Sequence, residues 1–581
     1  MPTVPASNAM TPDHFDRSVM RQRLANEQFD VVIVGGGITG LGVALDAASR
    51  GLRTALIERY DFASGTSSKS SKLVHGGLRY LQQGEVRLVY EALYERQRLI
   101  RNAPHLVSLL PFLLPILTKD GLVSRKIARA LGSALWMYDI TGGARIGKIH
   151  RRLRKQKALA HMPTMPSQRL ASAYIYYDAQ ADDARLCVTM ARSAADHGAV
   201  VINQCAVTSI LRSESGHANG VTVQCDDESF DVRARVVINA AGVWTDAVRT
   251  LEEGIDPDTI RPAKGVHVTV PWDKVRNDIA VIIPVPKDKR SLFVVPWGPK
   301  PDGTFTHTYV GTTDTDYRGP IDDPQCTKDD IDYVLRALNA SVTTGITAED
   351  VTGVWAGLRP LVKQVNAEDG TGKGGKAART ADLSRRHVVL TGDSGIITVT
   401  GGKLTTYREM AQDTVDAALK VLEKNSSTSA TSKNIKTAKC RTKNLKLHGA
   451  RGYKEPRISG SLEAHLAHRY GSDISVIQAL IATDSRLSET LITGLPYIKA
   501  EAIYSVIHEM ALSLDDVLSR RTRALLFDRE ATRQAAQSVA ELVAPFAGWD
   551  EQRIEKEVLA FHEICEHEAT MGTLPENELY S

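Results

Sequence analysis

The chain has 581 residues, 43% of them hydrophobic and 24% charged, with a formal net charge of +4. That is enough chain for several domains and a large core, and the balance is that of an ordinary globular protein. The small net charge excludes a strongly basic nucleic-acid binder, and the six cysteines (Cys187, Cys205, Cys225, Cys326, Cys440, Cys565) contain no C-x-x-C pair, which argues against a disulfide scaffold or structural zinc and fits a reducing compartment.

Residues 1–28 are polar and read as a flexible N-terminal arm; they lack a basic stretch followed by an apolar core, so no secretory signal is expected. Phe29 to Val34 is a short β-branched run of the type that forms a buried parallel strand. Gly35, Gly37 and Gly40 then give G-x-G-x-x-G at a strand-to-helix turn. There the first glycine permits the tight turn, the second admits a pyrophosphate and the third lets helix and strand pack closely. A helical pattern over Ile38–Arg50 would present its N-terminus to that anion. A second strand, Arg53 to Ile57, ends at Glu58, 18 residues after Gly40, where a carboxylate can bind ribose hydroxyls. The unit as a whole predicts a dinucleotide site. Just after it, ASGTSSKSSKLVHGGLRY supplies small hydroxyls, paired glycines and Arg79.

Glu85 to Arg101 reads as an amphipathic helix. Leu106 to Leu117 is the longest apolar run, short of the roughly 18 residues that span a bilayer. It is followed by Lys119, Arg125, Lys126 and Arg129, and then by KIHRRLRKQK at 148–157 with six Lys or Arg. An apolar segment beside a basic cluster suits a peripheral site on anionic lipid; a buried segment beside a solvated charged face is the plainer reading. Tyr174–Tyr177 predicts a strand, Asp182–His197 a helix and Ala199–Ile202 a strand, followed by alternating segments at Val207–Leu211 and Val221–Val223. Val236 to Asn239 is another buried strand that runs into Ala240, Ala241 and Gly242. Between 264 and 313, KGVHVTV, IAVIIPV, SLFVVPW and TYVGTT predict an inserted, largely antiparallel sheet. Asp369–Thr380 has the composition of a mobile surface loop. Val388–Thr391 and GGKLTTYREMA return to strand, glycine loop and helix; 424–444 reads as a linker, and 445–581 as an all-helical C-terminal domain.

The expected fold class is therefore α/β: a Rossmann-like domain, an inserted, mainly antiparallel substrate or cap domain, and the helical C-terminal domain. The oxidoreductase region spans 29–423, with nucleotide-binding parts at about 29–105, 180–260 and 385–423 and cap parts at about 106–179 and 261–384. One nucleotide fingerprint combined with several glycine-rich returns (Gly76 and Gly77, Ala241 and Gly242, Gly401 and Gly402) favours a long FAD over a nicotinamide cofactor, because distant segments must cover a flavin. Arg79 with Tyr80, His267, Arg359 and Lys403 stand out as substrate groups, and cations set in glycine-rich turns suit a small anion. Each also has a bland reading as a capping, structural or solvated side chain.

These segments carry a family resemblance. VVIVGGGITGLGVALDAASRGL, SGTSSKSSKLVHGGLRYL, YYDAQADDARL, VVINAAGVWTD, KGVHVTVP, VVPWG, YVGTTDTDY, GLRPL, GGKLTTYREMA, YIKAEAIYSVIHEMALSLDDVLSRRTRALL and VAPFAGWDEQRIEKEV occur in order from about 29 to 560. The chain resembles the FAD-dependent, membrane-associated glycerol-3-phosphate dehydrogenases of the D-amino-acid-oxidase-like flavoprotein superfamily. The resemblance implies that Gly35, Gly37, Gly40 and Glu58 bind the ADP half of FAD. It places Thr66, Ser67, Ser70, Ser71, Lys72 and His75 along the pyrophosphate and ring, Val207 near the adenosine, and Gly242, Gly402, Lys403, Leu404 and Thr405 against the cofactor. Arg79, Tyr80, His267, Arg359 and Lys403 would line the substrate site, with no metal. The implied reaction takes sn-glycerol 3-phosphate to dihydroxyacetone phosphate by hydride transfer from C2 to flavin N5. His267 would be the base, Arg79 and Arg359 the phosphate clamp, and a respiratory quinone at the inner face of the cell membrane the acceptor. The protein is then expected to be cytoplasmic and peripheral, with a homodimer left open. The rivals are an oxidase of the same substrate that uses oxygen, an amine or amino-acid oxidase, and a nucleotide-binding regulator without turnover.

Overall fold

In a computed structural model of the protein, the described residues are 15–77, 85–118, 132, 135–140, 146–288, 290–363, 387–424 and 439–579. Strands are numbered in chain order. β1 (Phe29–Val34) is buried along its whole length because parallel neighbours flank it on both edges and helices cover it. The neighbours are β2 (Thr54–Ile57) and β10 (Glu228–Asn239), and β7 (Val200–Ile202) continues the sheet beyond β2. On the other side β18 (Ile397–Thr400) and β17 (Val388–Thr391) give the order β17-β18-β10-β1-β2-β7. The predicted alternating segments form a hairpin, β8 (Cys205–Arg212) with β9 (Ala218–Cys225), that extends antiparallel from β10.

The second sheet has ten strands. β3 (Leu73–Val74), β4 (Val107–Leu117), β5 (Arg151–Arg154) and β6 (Leu170–Ala181) come from the first half of the chain. β11 (Ile260–Pro271), β12 (Ala280–Pro284), β13 (Ser291–Pro299), β14 (Phe305–Gly311), β15 (Thr315–Asp316) and β16 (Gly353–Val362) come from the insertion. The order is β15-β11-β14-β13-β12-β4-β6-β3, with β16 on β11 and β5 on β6, and all pairs but β12 with β4 are antiparallel. One face, with Val266, Val268 and Val270, packs on the helix Lys328–Asn339; the other buries Phe112, Tyr176, Tyr309 and Trp355.

Two readings of the sequence are corrected here. Leu106–Leu117 is not a surface segment: Val107–Leu117 pairs with β6 and β12, and Phe112, Leu113 and Ile116 are at most 1% exposed. Its prolines, Pro111 and Pro115, stand opposite Tyr177 and Ala173 of β6, and the register of the ladder shifts only between Ile116 and Leu117. The arm is not loose over its described part. Arg17–Asn26 is a helix capped by Asp16, and Phe15, Met20 and Leu24 are buried in the core of the first sheet. Met20 and Leu24 lie four residues apart on one face, a short apolar stripe within a polar segment. Residues 1–14, the loop 369–380 and most of the linker (425–438) lie outside the described residues.

The C-terminal helices pack around Leu514, Val517, Leu518, Val539 and Phe561. Buried charges join them to the first domain. Arg185 donates to both oxygens of Glu509, at 2.6 and 2.5 Å, and both side chains are at most 3% exposed. Removing one partner of such a pair strands the other in low dielectric, where it costs about 3–5 kcal/mol. Glu509→Ala should therefore lower stability by about that much, read as a shift in the urea midpoint; an unchanged midpoint would show that the pair contributes no net stability.

Candidate active site

A cavity of about 1080 Å³ runs from the end of β1 across both sheets. Its first wall is the predicted turn. Gly35 has φ +112°, and a Cβ there would lie 2.8 Å from the Ala240 carbonyl oxygen; a Cβ on Gly40 would come within 1.9 Å of the Gly35 carbonyl oxygen. Only glycine permits this crossing of β1, β10 and the helix Ile38–Ser49. That helix has no side-chain cap at Gly37, so its N-terminal amides face the cavity and favour an anion. Glu58 accepts the Gly36 amide at 2.5 Å and the Tyr60 amide at 2.8 Å. Burial raises its pKa, while the two backbone hydrogen bonds oppose that rise. Val207, Tyr60 and Trp244 line the same end, and Gly242 borders it.

The hydroxyl-rich loop forms the middle. Thr66 Oγ1 donates to the Leu358 carbonyl at 2.6 Å, and Ser67 Oγ accepts the Ile38 amide at 2.9 Å, tying the loop to β16 and to the helix start. Ser70 and Ser71 line the cavity, as does His75, whose amide donates to Thr405 Oγ1 at 3.1 Å. Gly402, Lys403, Leu404 and Thr405 close the opposite side. Lys72 does not join them. Its ammonium is buried behind the loop, 3.1 Å from Asp183 and 4.7 Å from the Trp355 ring. Lys72, expected along the cofactor, is not among the residues that line the cavity, and its backbone has φ +56°.

At the far end β11 and β16 run antiparallel, and they bring His267 and Arg359 into one chamber across a sequence gap of 92 residues. His267 is 3% exposed, stacks on Trp355 at 4.8 Å and 8°, and shares a 2.8 Å hydrogen bond between Nε2 and Ser71 Oγ. Burial, then the charges of Lys72 and Arg359, push its pKa well below the ordinary imidazole value. Arg359 lies over Gly265, where a Cβ would be 2.5 Å from Nη2, and pairs with Asp314 at 2.9 Å. Arg290, which the sequence reading passed over, also lines the chamber and donates to the Asp314 carbonyl at 2.7 Å. Its signal was an arginine at the entry of the alternating run SLFVVPW, indistinguishable locally from a surface turn. Arg79 and Tyr80 lie outside the described residues.

The donor set fits FAD. One end offers glycine amides and Glu58 to an adenosine diphosphate, and the cavity then continues past small residues to the His267 chamber, long enough for a flavin. Fold and cleft together define an FAD-dependent oxidoreductase, and residues 30–408 match the model of the FAD dependent oxidoreductase family. Residues 440–554 match the C-terminal domain of alpha-glycerophosphate oxidase. The chain is 40% identical to Glycerol-3-phosphate dehydrogenase 2 of Mycobacterium bovis, over 97% of this chain and 92% of that protein. It is 35% identical to the mitochondrial glycerol-3-phosphate dehydrogenase of Mesocricetus auratus, over 91% of this chain and 72% of that one. The crystal structure of the glycerol-3-phosphate dehydrogenase from Bacillus halodurans complexed with FAD superposes with a TM-score of 0.72 at 29% identity, covering 96% of this chain and 98% of that one. The chain belongs to the FAD-dependent glycerol-3-phosphate dehydrogenase family.

Because Gly35 cannot take a side chain without moving Ala240, Gly35→Ala should leave a folded protein that retains little flavin. The measurement is the ratio of bound flavin absorbance to protein; a ratio equal to wild type would show that the turn does not shape the cofactor site.

Proposed function

We propose that the protein oxidises sn-glycerol 3-phosphate to dihydroxyacetone phosphate and passes the electrons to a respiratory quinone. The observation that carries this reading is the lining of the cleft, which includes the cations Arg359, Arg290 and Lys403 together with the buried imidazole of His267. Three cations match a phosphate dianion better than a lone carboxylate. The reported names of the relatives give the same substrate.

FAD, when bound, supplies the hydride acceptor. The protein's own residues do the rest. Arg359 is held by Asp314 and by the Thr313 carbonyl at 3.2 Å, so its fork is oriented before substrate arrives. A clamped phosphate fixes the three-carbon chain and so its C2. His267 receives the hydroxyl proton in this reading. Nε2 is engaged by Ser71, and Nδ1 is buried without a hydrogen-bond partner among the described residues. With Nε2–H donating to Ser71, Nδ1 carries the lone pair that a base needs. Burial, and then the charges of Lys72 and Arg359, keep the ring neutral.

Oxygen as acceptor is the second reading, favoured by the match of residues 440–554 to an oxidase domain. Quinone reduction without hydrogen peroxide supports the first; stoichiometric peroxide supports the second.

No helix among the described residues is long and apolar enough to cross a membrane. The reading of a peripheral, cytoplasmic enzyme rests instead on a surface. Trp136, Met137, Ile140 and Ile149 are 46–71% exposed, beside exposed Lys148, Arg151, Arg152, Arg154, Lys155 and Lys157. Apolar side chains ringed by cations suit the headgroup region of anionic lipid. Lys119, Arg125, Lys126 and Arg129 lie outside the described residues.

Replacing Arg359 by Met should raise KM for glycerol 3-phosphate by roughly tenfold to a hundredfold, the loss of one charge-assisted contact; an unchanged KM in a dye-linked assay would remove it from the clamp. His267→Ala should lower kcat by about 10²–10⁴. A base with a depressed pKa is active above that pKa and protonated below it, so the acid limb of kcat/KM should lie well under pH 6.5. Lys72→Met removes a neighbouring charge and should move that limb toward higher pH; an unmoved limb would place the base elsewhere. Reversing Arg151, Arg152 and Arg154 to Glu should free the protein from anionic vesicles while dye-linked activity survives; retained vesicle binding would exclude this patch.

A further inference from the structure

The C-terminal motif SRRTRALL, residues 519–526, is buried apart from the partly exposed Arg520: Arg521 and Arg523 are each 1% exposed. It is inserted between the two sheets. Asp516–Arg521 is a π-helical turn, which widens the coil and aims successive arginines at one carboxylate. Arg521 donates to both oxygens of Asp61, at 2.6 and 2.8 Å, and Arg520 adds a contact at 2.6 Å. Asp61 stands at the start of the cofactor loop.

Arg523 reaches further. Its Nη2 donates to the Ser68 carbonyl at 2.5 Å and to Asp183 Oδ1 at 3.0 Å. Asp183 Oδ1 also accepts Lys72 Nζ at 3.1 Å, and its Oδ2 accepts both the amide and the hydroxyl of Ser70, at 3.0 and 2.7 Å. The next residue, Ser71, holds His267. The neighbouring residues then fasten onto the substrate sheet: the Leu526 carbonyl accepts Thr269 Oγ1 at 2.7 Å and the Phe527 carbonyl accepts Thr352 Oγ1 at 2.6 Å. β11 carries Thr269 two residues from His267, and a Cβ on Gly353 of β16 would lie 2.2 Å from the Leu526 carbonyl oxygen. Phe527 stacks on Trp297 at 3.7 Å.

We infer that Arg523 and Asp183 are positioning residues, through which the C-terminal domain sets the cofactor loop at Ser68–Ser71 and, by way of Ser71, the imidazole of His267. Neither touches the cavity; each acts through the loop. The buried charges explain how Lys72 is kept at φ +56°, a conformation that an L-residue adopts only under constraint. They also explain why Lys72, with a pKa lowered to about 8 by burial and by Arg523, is retained behind the loop.

The test uses the full-length holoenzyme. Arg523→Gln should raise the dissociation constant for FAD at least tenfold, measured by flavin fluorescence as apoprotein is titrated. Arg523→Lys, which keeps the charge and loses the fork, should fall between it and wild type. The surface variant Arg533→Gln should not change it. Should Arg523→Gln fail to fold, Arg523→Lys decides alone by amide exchange. Peptides covering 65–75 should then exchange about tenfold faster than in wild type, and those covering 529–547 should not. An FAD affinity within twofold of wild type in folded Arg523→Gln, or unchanged exchange over 65–75 in Arg523→Lys, overturns the inference. Both readouts concern the cofactor loop, so they stand whether or not glycerol 3-phosphate is the substrate.

Discussion

The cleft of this protein depends on holding residues 61–75 in a conformation they would not adopt alone. Ala63 and Lys72 have positive φ, the loop contains almost no regular structure, and it must present hydroxyls on one side while burying a lysine on the other. Asp183 makes this feasible. One carboxylate takes donors from Ser70, Lys72 and Arg523, so that the loop and the C-terminal domain converge on two oxygens. A group so buried is tolerable only because cations and amides satisfy it.

From that constraint the arrangement of the two sheets follows. The loop lies between them, tied to β16 through Thr66 and Trp355, whose Nε1 donates to the Ser70 carbonyl at 3.0 Å, and to β14 through Tyr309, whose hydroxyl donates to the Ser71 carbonyl at 3.1 Å. The glycine turn is then at the ends of the parallel strands and the chamber of His267 and Arg359 at the antiparallel sheet, so in the proposed reading cofactor and substrate would meet across the loop. The same aromatic residues that tie down the loop pack on His267, Trp355 stacked on its face and Tyr309 edge-on, and this burial helps keep the imidazole uncharged.

Much of this was legible in the amino-acid sequence because it rests on local rules. Glycine is demanded at Gly40 by sterics within one turn and at Gly35 by a φ of +112°, and strand alternation between 264 and 313 reports one buried face. What could not be read depends on contacts distant in the chain. Lys72 sits among the hydroxyls in sequence, yet Asp183 and Arg523 draw it to the other side. Arg290 resembles any turn arginine until β13 carries it beside Asp314. Val107–Leu117 resembles a surface apolar run until β6 and β12 are seen on its edges. Most of all, SRRTRALL has no local pattern to announce that it joins Asp61, Asp183 and β11, because those partners lie more than 250 residues away.

The central claim is that the chamber oxidises glycerol 3-phosphate with the flavin of this same chain. Anaerobic addition of sn-glycerol 3-phosphate to the oxidised holoenzyme, followed through the visible flavin bands, tests it most directly. The account predicts full bleaching with one dihydroxyacetone phosphate formed per flavin, and none with glycerol. A flavin that stays oxidised with glycerol 3-phosphate, or that bleaches instead with an amino acid, would contradict it.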